Sequence, residues 1–400
     1  MQYTELNNEP QSISRSAMKR SIRILHVVGG MNRCGYETWL MHVLRNADRE
    51  KFQMDFLVHT DEPSDYDDEV RALGCRIITC PLSRSQPLSF MANLKRILRE
   101  EQPYDIVHSH VHNFSGFVLR VAKQAGVPIR IAHSHNDTSL ADAEASLIRR
   151  FYLGLTLRWI DRYSTLNLSA SRDATPSLFG ADWEKDPRCQ IISYGIDLSP
   201  FEPGISAPNL RAEFNIPEDA FVIGHVGRFE DQKNHSFLIE IAAEIAQREP
   251  KMHLLLIGAG PLRSKIEQKI VDLGLMDRVT FAGVRPDVPQ LMLEVMDAFL
   301  FPSRYEGLGL VLVEAQSSGL PCVFSDVIPE EASLVEPLLK RLSLSLPASQ
   351  WAEELLNHCQ ASSEVSQPDA LALVKQSPLN IETSLKQLTK IYQAQFEDKP

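Results

Sequence analysis

One stretch, residues 298–326 (AFLFPSRYEGLGLVLVEAQSSGLPCVFSD), restricts the fold more than the rest of the chain does. A short apolar run at 298–302 predicts a buried strand, and a loop with Glu306 and two glycines follows it. Residues 310–318 predict a helix that ends at Gly319, and 321–324 predict the next strand. This order is typical of a parallel α/β sheet, where helix N-termini meet anionic ligands beyond the strand ends.

The same alternation of strands and helices runs through the rest of the chain, in two halves. In the first half, apolar runs predict strands at 22–28, 54–58, 76–79, 105–108 and 129–132. In the second half, they predict strands at 221–226, 253–257 and 279–282, ahead of the stretch at 298–326. Such alternation predicts parallel sheets with helices on both faces, so the expected fold class is α/β with two Rossmann-like domains.

Chain length and composition suggest where the domains begin and end. A chain of 400 residues favours two domains over one. Residues 193–209 are rich in Pro, Gly and Ser and predict the linker between them. We therefore expect a disordered extension at 1–20, a first domain at 21–195, a second domain at 196–375, and a helix at 376–400 that crosses back to the first domain.

Charge and cysteine content argue against several classes of protein. The net charge of -11 argues against nucleic acid as a partner, because phosphate backbones require a basic surface. The six cysteines form no C-x-x-C pair, so we expect reduced thiols in a cytosolic protein. No apolar run approaches the roughly 20 residues of a membrane-spanning helix. The expected location is the cytoplasm, with contact to the inner face of the membrane as an open alternative.

A loop between a predicted strand and helix carries Gly227, Arg228 and Lys233. The glycine allows close backbone approach, and the two cations supply positive charge for an anion. The alternative is a solvated charged loop, and the position after a strand favours phosphate binding. Gly258 and Gly260 also follow a strand, but tight turns need glycine for their own sake. The chain has no G-x-G-x-x-G and no G-K-[ST], so NAD-type and P-loop sites lack their motifs.

Two carboxylates belong to the stretch at 298–326. Glu306 lies in its loop and Glu314 on its helix, and either residue alone is compatible with a solvated position. Their neighbours at 308 and 310–313 are apolar, which predicts a buried setting in which a carboxylate has a defined partner.

A group of histidines follows two neighbouring strands, at His108, His110, His112, His133 and His135. Alternation along a strand places such residues on one face. One interpretation is a metal site, for which Asp137 is a further candidate ligand. The other is that some rings are packed or hydrogen-bonded while one faces a ligand.

Several of these motifs together resemble the retaining glycosyltransferases of family 4, in particular the exopolysaccharide and capsule branch. Glu306-Gly307-Leu308-Gly309 with Glu314 resembles the E-x7-E motif of that family. Gly227-Arg228 with Lys233 resembles its diphosphate-binding pair.

Five further segments extend the likeness over residues 22–355. Residues 281–288, with Gly283 and Arg285, resemble the nucleotide-base segment of the family, and 194–197 (YGID) resemble its interdomain turn. Residues 31–38, with Gly35, resemble its acceptor-side glycine loop, and the segments 108–110 and 133–135 its strand-end histidines. The motifs occur in the order that the family has.

The resemblance implies an enzyme of the B-type fold, with two Rossmann-like domains whose sheets face each other across a cleft. It implies transfer of a sugar, with retained anomeric configuration, from a nucleotide-diphosphate sugar (uridine is the commonest base) to a glycan or lipid-linked acceptor. No metal or other cofactor is expected. In this family a front-face displacement is often proposed, in which a donor phosphate oxygen takes the proton of the acceptor.

The resemblance also implies roles for single residues. Arg228 and Lys233 would hold the diphosphate, Glu306 would orient the donor sugar, Glu314 would accept bonds from ribose hydroxyls, and His110 would line the reaction centre. The implied catalytic positions are His110, Arg228, Lys233 and Glu306. The implied donor-binding positions are Gly35, Gly227, Gly258, Gly283, Arg285, Gly307, Leu308, Gly309 and Glu314.

Two departures from the family pattern keep other functions open. Cys34 stands where the family has a glycine, and Tyr194 stands where it has an asparagine. They motivate a non-catalytic nucleotide-sugar-binding subunit as an alternative. A metal-dependent hydrolase that uses His108, His110 and His135 is a second, and a nucleotide-sugar epimerase is a third. A predicted amphipathic helix at 143–162 either packs on the sheet, which we favour, or docks on an anionic membrane.

Overall fold

The computed structural model describes residues 20–81, 87–100, 103–136, 146–204, 210–361 and 365–397. It consists of two parallel sheets covered by helices on both faces, as the alternation in the sequence predicts. The extension expected at 1–20 lies outside the described residues except for Arg20, and so does the candidate ligand Asp137.

The first sheet has seven strands in the order β3-β2-β1-β4-β5-β6-β7. These strands are β1 Ile22–Val28, β2 Phe52–Val58, β3 Ile77–Thr79, β4 Ile106–Ser109, β5 Ile129–Ser134, β6 Leu166–Ser169 and β7 Cys189–Ile191. The helices of this half are α1 Gly35–Asn46, α2 Asp67–Ala72, α3 Pro87–Glu100, α4 Ser115–Ala125, α5 Leu147–Tyr163 and α6 Pro176–Phe179.

The second sheet has six strands in the order β10-β9-β8-β11-β12-β13. These strands are β8 Phe221–Val226, β9 Met252–Ile257, β10 Val279–Gly283, β11 Ala298–Phe301, β12 Cys322–Ser325 and β13 Leu339–Leu342. The helices are α7 Leu210–Glu213, α8 His235–Ala246, α9 Arg263–Asp272, α10 Val288–Glu294, α11 Leu310–Ser317, α12 Ala348–Ala361, α13 Gln367–Gln376 and α14 Ile381–Glu397.

The strand order reverses between β1 and β4 in the first sheet and between β8 and β11 in the second. Loops that leave neighbouring strands at such a point diverge and leave a crevice at the carboxyl edge of the sheet. The central strands are buried along nearly their whole length, which explains their unbroken apolar sequences. One apolar core continues from the first sheet to the second, and it includes Ile24 and Phe56 as well as Phe299 and Phe301.

The chain crosses between the two halves twice, and the crossings touch. The amide of Ile196 donates to the carbonyl of Leu379 at 2.8 Å, and the amide of Ile381 donates to the carbonyl of Ile196 at 3.0 Å. A Cβ on Gly195 would lie 2.5 Å from the Cα of Ile381, so this position requires glycine. The boundary expected at 195 remains a prediction; β7 ends at Ile191 and β8 begins at Phe221.

Helix α14 packs against the first half of the molecule. Tyr392 is fully buried, and its hydroxyl lies 2.8 Å from Nδ1 of His108. The indole Nε1 of Trp39, on α1, donates to the hydroxyl of Ser384 at 3.0 Å. The aromatic and serine side chains of α14 therefore complete the core around β1 and β4.

Helix α5 differs from the sequence-based expectation in its extent and packing. It begins at Leu147 with Ser146 as the N-cap, whereas residues 143–145 lie outside the described part of the chain. Its buried residues include Thr156 and Ile160, and it lies close to α4, because a Cβ on Gly116 would meet the carbonyl oxygen of Thr156 at 2.4 Å. The buried face thus contacts a helix of the first half. Among the described residues, no helix has both the length and the apolar character needed to cross a bilayer.

Candidate active site

A cleft of about 850 Å³ lies between the carboxyl edges of the two sheets. Loops after β1 and β5 form its wall on the first domain, and the crossing near Tyr194 forms its floor. Loops after β8, β9, β10 and β11 form the opposite wall. The cleft thus occupies the topological switch points of both sheets, where α/β proteins bind their ligands.

The loop between β11 and α11 presents backbone donors to this cleft. Gly309 is the N-cap of α11 with φ at 83°, a left-handed conformation that favours glycine. No side chain in the described part of the chain caps this helix, so its first amides remain available to an anion. Gly307, Leu308 and Gly309 all line the cleft, as does Gly35 at the first position of α1.

Glu306 and Lys233 form an ion pair in the wall of the cleft. Nζ of Lys233 lies 2.6 Å from Oε1 of Glu306, and their side chains are only 16% and 7% exposed. Gln232 also donates to Glu306, at 3.3 Å, and Nζ of Lys233 lies 4.8 Å from the centre of the Phe301 ring. Removal of either partner would leave a charge in a poorly solvated place, so the pair holds both side chains in position.

Arg228 is the more exposed cation of the site. Its guanidinium pairs with Glu230 at 2.8 Å, and its side chain is 56% exposed. Across the cleft it is in hydrogen-bond contact with the thiol of Cys34 on the first domain. Burial nonetheless raises the pKa of Cys34 to about 11, so this thiol stays protonated near neutral pH. Arg228 can therefore reach a ligand held between the two domains.

Glu314 lines the cleft from α11 and is half-buried. Burial raises the pKa of its carboxyl to about 7. Its carboxylate has no hydrogen-bond partner within the described ranges. A carboxyl in this state is suited to accept hydrogen bonds from ligand hydroxyls.

The glycines after β8 and β9 have a structural explanation of their own. Gly258 has φ at 133°, and a Cβ there would lie 2.1 Å from the carbonyl oxygen of Gly227. A Cβ on Gly260 would lie 2.7 Å from the backbone of Phe229. The two loops thus pack backbone against backbone while Gly227 and Gly258 still line the cleft.

Two residues expected at the donor site are placed differently. Gly283 does not line the cleft. It ends β10, and its carbonyl accepts a hydrogen bond from the amide of Gly258 at 2.8 Å. Its backbone thus joins the end of β10 to the loop after β9. Arg285 does line the cleft, but its guanidinium lies 2.6 Å from both Glu213 and Asp287. These two carboxylates offset its charge, so its contact with the cleft is that of a paired side chain.

The two domains touch beside the donor loop. A Cβ on Gly307 would lie 1.7 Å from the carbonyl oxygen of His135, at the end of β5. Real Cβ atoms do not approach so closely, and the neighbour is backbone rather than a flexible side chain. Gly307 therefore permits the backbones of the two domains to approach each other at this point.

Five histidines and two tyrosines form one hydrogen-bonded chain behind the cleft, which we call the His–Tyr chain. Its successive members are Tyr392, His108, His133, Tyr194, His135, His110 and His26. The donor–acceptor distances of five of these bonds are 2.8–3.1 Å, and the sixth bond joins His135 to Tyr194. Burial lowers the pKa of every histidine in the chain, so the rings are neutral near pH 7.

The position expected for His110 is corrected by this chain. His110 is 3% exposed and does not line the cleft, because its two ring nitrogens bond to His26 at 3.0 Å and to His135 at 3.1 Å. Of the His–Tyr chain, His135 is the member with an imidazole at the wall, and Tyr36 stacks on its ring with centres 4.2 Å apart. His42, which does not belong to that chain, also lines the cleft.

The hydrolase alternative depends on histidine nitrogens that are free to bind a metal. Two triplets have ligand atoms within 4.8 Å of one another, namely His26, His108, His110 and His110, His133, His135. Most of these nitrogens already serve in ring-to-ring bonds, and His108 pairs with His133 rather than joining His110 and His135. The arrangement favours a packed, hydrogen-bonded cluster over a ligand set.

Glu37 and Tyr194 line the cleft, although neither belongs to the set of site residues expected from the sequence. Glu37 is in the first turn of α1 and is 7% exposed. The sequence does contain a signal for Glu37, because an acidic residue precedes the buried run Trp39-Leu40-Met41. The sequence distinguishes Tyr194 only as a departure from a family pattern, and the composition of the linker does not predict its burial.

Comparison with known proteins agrees with this geometry. Two family models match the chain: "Glycosyl transferase 4-like domain" over residues 34–180 and "Glycosyl transferases group 1" over residues 206–360. The chain is 40% identical over 335 residues to "Putative glycosyltransferase EpsF" of Bacillus subtilis (strain 168), covering 83% of this chain and 86% of that protein.

Two further proteins are similar over most of their length. The "UDP-Gal:alpha-D-GlcNAc-diphosphoundecaprenol alpha-1,3-galactosyltransferase" of Escherichia coli is 27% identical over 317 residues, covering 76% of this chain and 78% of that protein. The structure titled "Crystal structure of Anabaena Alr3699/HepE in complex with UDP-glucose" has a TM-score of 0.76 at 18% identity, covering 93% of this chain and all of that one. Thus the fold is that of the B-type glycosyltransferases, and the chain belongs to the group 1 glycosyl transferases, enzymes that act on nucleotide sugars.

Proposed function

We propose that the chain transfers a sugar from a UDP-linked donor to a lipid-diphosphate-linked or glycan acceptor, with retained anomeric configuration, in the synthesis of a cell-surface polysaccharide. The observation that carries the proposal is the buried pair of Lys233 and Glu306 beside the uncapped N-terminus of α11. The UDP-glucose bound by the Anabaena protein and the UDP-Gal used by the Escherichia coli relative support the choice of uridine. The name of that relative states an α-1,3 product, and the galactosyl–phosphate bond of its donor UDP-Gal is also α, which supports retention.

The proposed division of labour follows from charge and position. Arg228 and Lys233, with the first amides of α11, neutralise the diphosphate as the bond to the sugar breaks. Glu306, held by Lys233, accepts hydrogen bonds from sugar hydroxyls, and Glu314 accepts them from the ribose. Because these groups supply the positive charge that the leaving group needs, we propose that turnover requires no divalent cation. Transfer that stops in EDTA and returns with Mg²⁺ would contradict this.

The donor-site assignment is tested by Lys233→Ala and Glu306→Gln. Each variant loses a charged group placed beside the leaving diphosphate or the sugar, so we expect a fall of at least about 100-fold in kcat/KM. The assay follows UDP release from UDP-galactose and UDP-glucose in the presence of a synthetic N-acetylglucosaminyl-diphosphate lipid.

Lys269→Ala is the matched control. Lys269 forms an ion pair with Glu240 between α9 and α8, away from the cleft. Its loss is expected to leave kcat/KM within about twofold. Thermal melting of all three variants checks that they fold. Near-normal turnover by Lys233→Ala or Glu306→Gln would refute the assignment.

We also propose that the first turn of α5 rests on an anionic membrane surface, where a lipid-linked acceptor would be presented. Leu147, Ile148 and Phe151 are 82%, 85% and 76% exposed, and Arg149 and Arg150 are exposed among them. Apolar side chains with neighbouring cations are the composition that favours interfacial binding. The membrane contact is thus proposed for the N-terminal turn, since the later part of the helix packs on α4.

Vesicle sedimentation tests this surface. The triple variant Leu147→Ser, Ile148→Ser and Phe151→Ser should lose binding to vesicles that contain phosphatidylglycerol. The control exchanges two exposed apolar residues of the second domain, Val271→Ser and Leu273→Ser, and should bind as the wild type does. The proposal is contradicted if the triple variant and the control variant bind these vesicles equally. It is also contradicted if the wild type binds neutral vesicles but not those that contain phosphatidylglycerol.

A further inference from the structure

One carboxylate of the cleft is unused by the donor site. Glu37 lines the cleft from the first-domain side, and its side chain is 7% exposed. Its Oε2 atom is buried and has no hydrogen-bond partner among the described residues. A buried acceptor without a donor is costly, so this oxygen is suited to a ligand group that brings a hydrogen.

The surroundings of Glu37 place it opposite the leaving group. It contacts the hydroxyl of Tyr36 and its own backbone amide, and it faces Arg228 of the second domain. Cys34 from the same loop and Tyr194 from the crossing also lie near it, with Glu230 beyond Arg228. Arg228 is the cation assigned to the diphosphate, and therefore Glu37 faces the reacting end of a donor bound in the cleft.

Most of the other candidate bases of the cleft are already engaged. His42 also lines the cleft, but burial lowers the pKa of its imidazole to about 4, so it is a weaker base than Glu37. Glu306 pairs with Lys233 and Glu230 pairs with Arg228. Asp65 accepts from the amide of Arg33, and Asp197 accepts from that of Ser199. Both ring nitrogens of His135 belong to the His–Tyr chain, and Glu314 lies on α11, where we place the ribose.

We infer that Glu37 is a catalytic residue that accepts a hydrogen bond from the acceptor hydroxyl and then takes its proton. The inference rests on the proposed function. As the acceptor oxygen bonds to the anomeric carbon, the bond from that carbon to the diphosphate breaks, and its electron pair stays on the diphosphate. The proton moves from the acceptor oxygen to Oε2 of Glu37 and leaves later to water, and nothing is oxidised or reduced.

The ionisation of Glu37 suits this task. Burial raises the pKa of its carboxyl to about 7, which is where a general base is most effective at neutral pH. Since the base acts in its ionised form, the rate should rise with pH through about 7 and then level off. Glu314 titrates in the same range, so the assignment of the rise depends on a variant of Glu37.

The test compares wild type, Glu37→Gln and Glu37→Asp with UDP-galactose, UDP-glucose and the synthetic diphosphate lipid. We expect kcat of Glu37→Gln to fall about 100- to 1,000-fold and its pH rise to disappear. The affinity for UDP, measured by calorimetry, should stay within about twofold. Glu37→Asp should recover part of kcat, because it restores a carboxylate in nearly the same place.

Several outcomes overturn the inference. A kcat of Glu37→Gln within about threefold of wild type overturns it, because a donor phosphate oxygen would then take the proton. A pH rise that persists in Glu37→Gln, or UDP affinity that falls in parallel with kcat, assigns Glu37 elsewhere. If Glu37→Gln does not fold, a wild-type kcat independent of pH between 6 and 8 overturns it as well. A wild type that transfers no sugar from UDP donors refutes the proposed function instead, so the two failures are distinguishable.

Discussion

Gly307 provides a sharp test of whether the contact between the domains is used in turnover. A Cβ at this position would lie 1.7 Å from the carbonyl oxygen of His135, whereas ordinary van der Waals contacts begin at 3.4 Å. The Cβ is fixed to the backbone of residue 307 and the oxygen belongs to the backbone of His135, so Gly307→Ala must separate the donor loop from the end of β5 by about 1.7 Å. Displacements of about 1 Å between reacting groups can cost roughly 100-fold in rate. We therefore expect kcat/KM of Gly307→Ala to fall about 100-fold.

The measurement is UDP release from UDP-galactose or UDP-glucose, together with a thermal melt. Gly154→Ala is the matched control, since Gly154 lies on α5 and a Cβ there meets nothing within 4 Å. That control should keep full activity and gain about 0.5–1 kcal/mol from the removal of a mid-helix glycine. If Gly307→Ala retains activity within about threefold of wild type, the close approach of Gly307 to His135 is not part of the catalytic state.

Three further predictions concern the crossings and the buried histidines. Gly195→Ala, which places a Cβ 2.5 Å from the Cα of Ile381, should cost about 1–3 kcal/mol of unfolding free energy, and an unchanged urea midpoint would contradict it. Burial lowers the pKa of His26 to about 3 and of His42 to about 4, so the unfolded chain binds more protons below pH 6.5. As the pH falls from 6.5 to its folded pKa, each of these two histidines should lower the free energy of unfolding by about 1.4 kcal/mol per pH unit. The urea midpoint should therefore be lower at pH 5 than at pH 7. In the His–Tyr chain each neutral group has one proton to donate along the chain, so ¹⁵N NMR should find all five rings in the same tautomer; a mixture refutes the continuous chain.

The sequence predicts the fold well because its signals are local. Apolar runs of the length of a buried strand, with a helix after most of them, are enough to predict two parallel sheets. The interpretation omits β6, β7 and β13, which have only three or four residues each and carry half-buried or polar positions such as Asn167 and Lys340. Polar residues interrupt the apolar sequence of each of these three strands, whereas β11, which is equally short, is apolar throughout. Their pairing with a neighbour in the sheet defines them.

The candidate site is predicted in part. Lys233 and Glu306 can be recognised because each lies directly after a strand in a loop with glycine, and the structure brings them to 2.6 Å. The exchange of His110 for His135 at the wall could not be foreseen, because it depends on which ring nitrogens find partners. Those partners include Tyr392, which is 284 residues away from His108 in the chain.

Helix α14 carries a consequence for the exchange of domains between related enzymes. The hydroxyl of Tyr392 reaches His108, and Ser384 receives a hydrogen bond from Trp39, so the last helix belongs physically to the first domain. A chimera that takes its nucleotide-sugar domain from another enzyme must therefore be joined at two places, near Gly195 and near Ile381. A single junction would pair the first domain with a foreign terminal helix and leave the ring of His108 without its native partner.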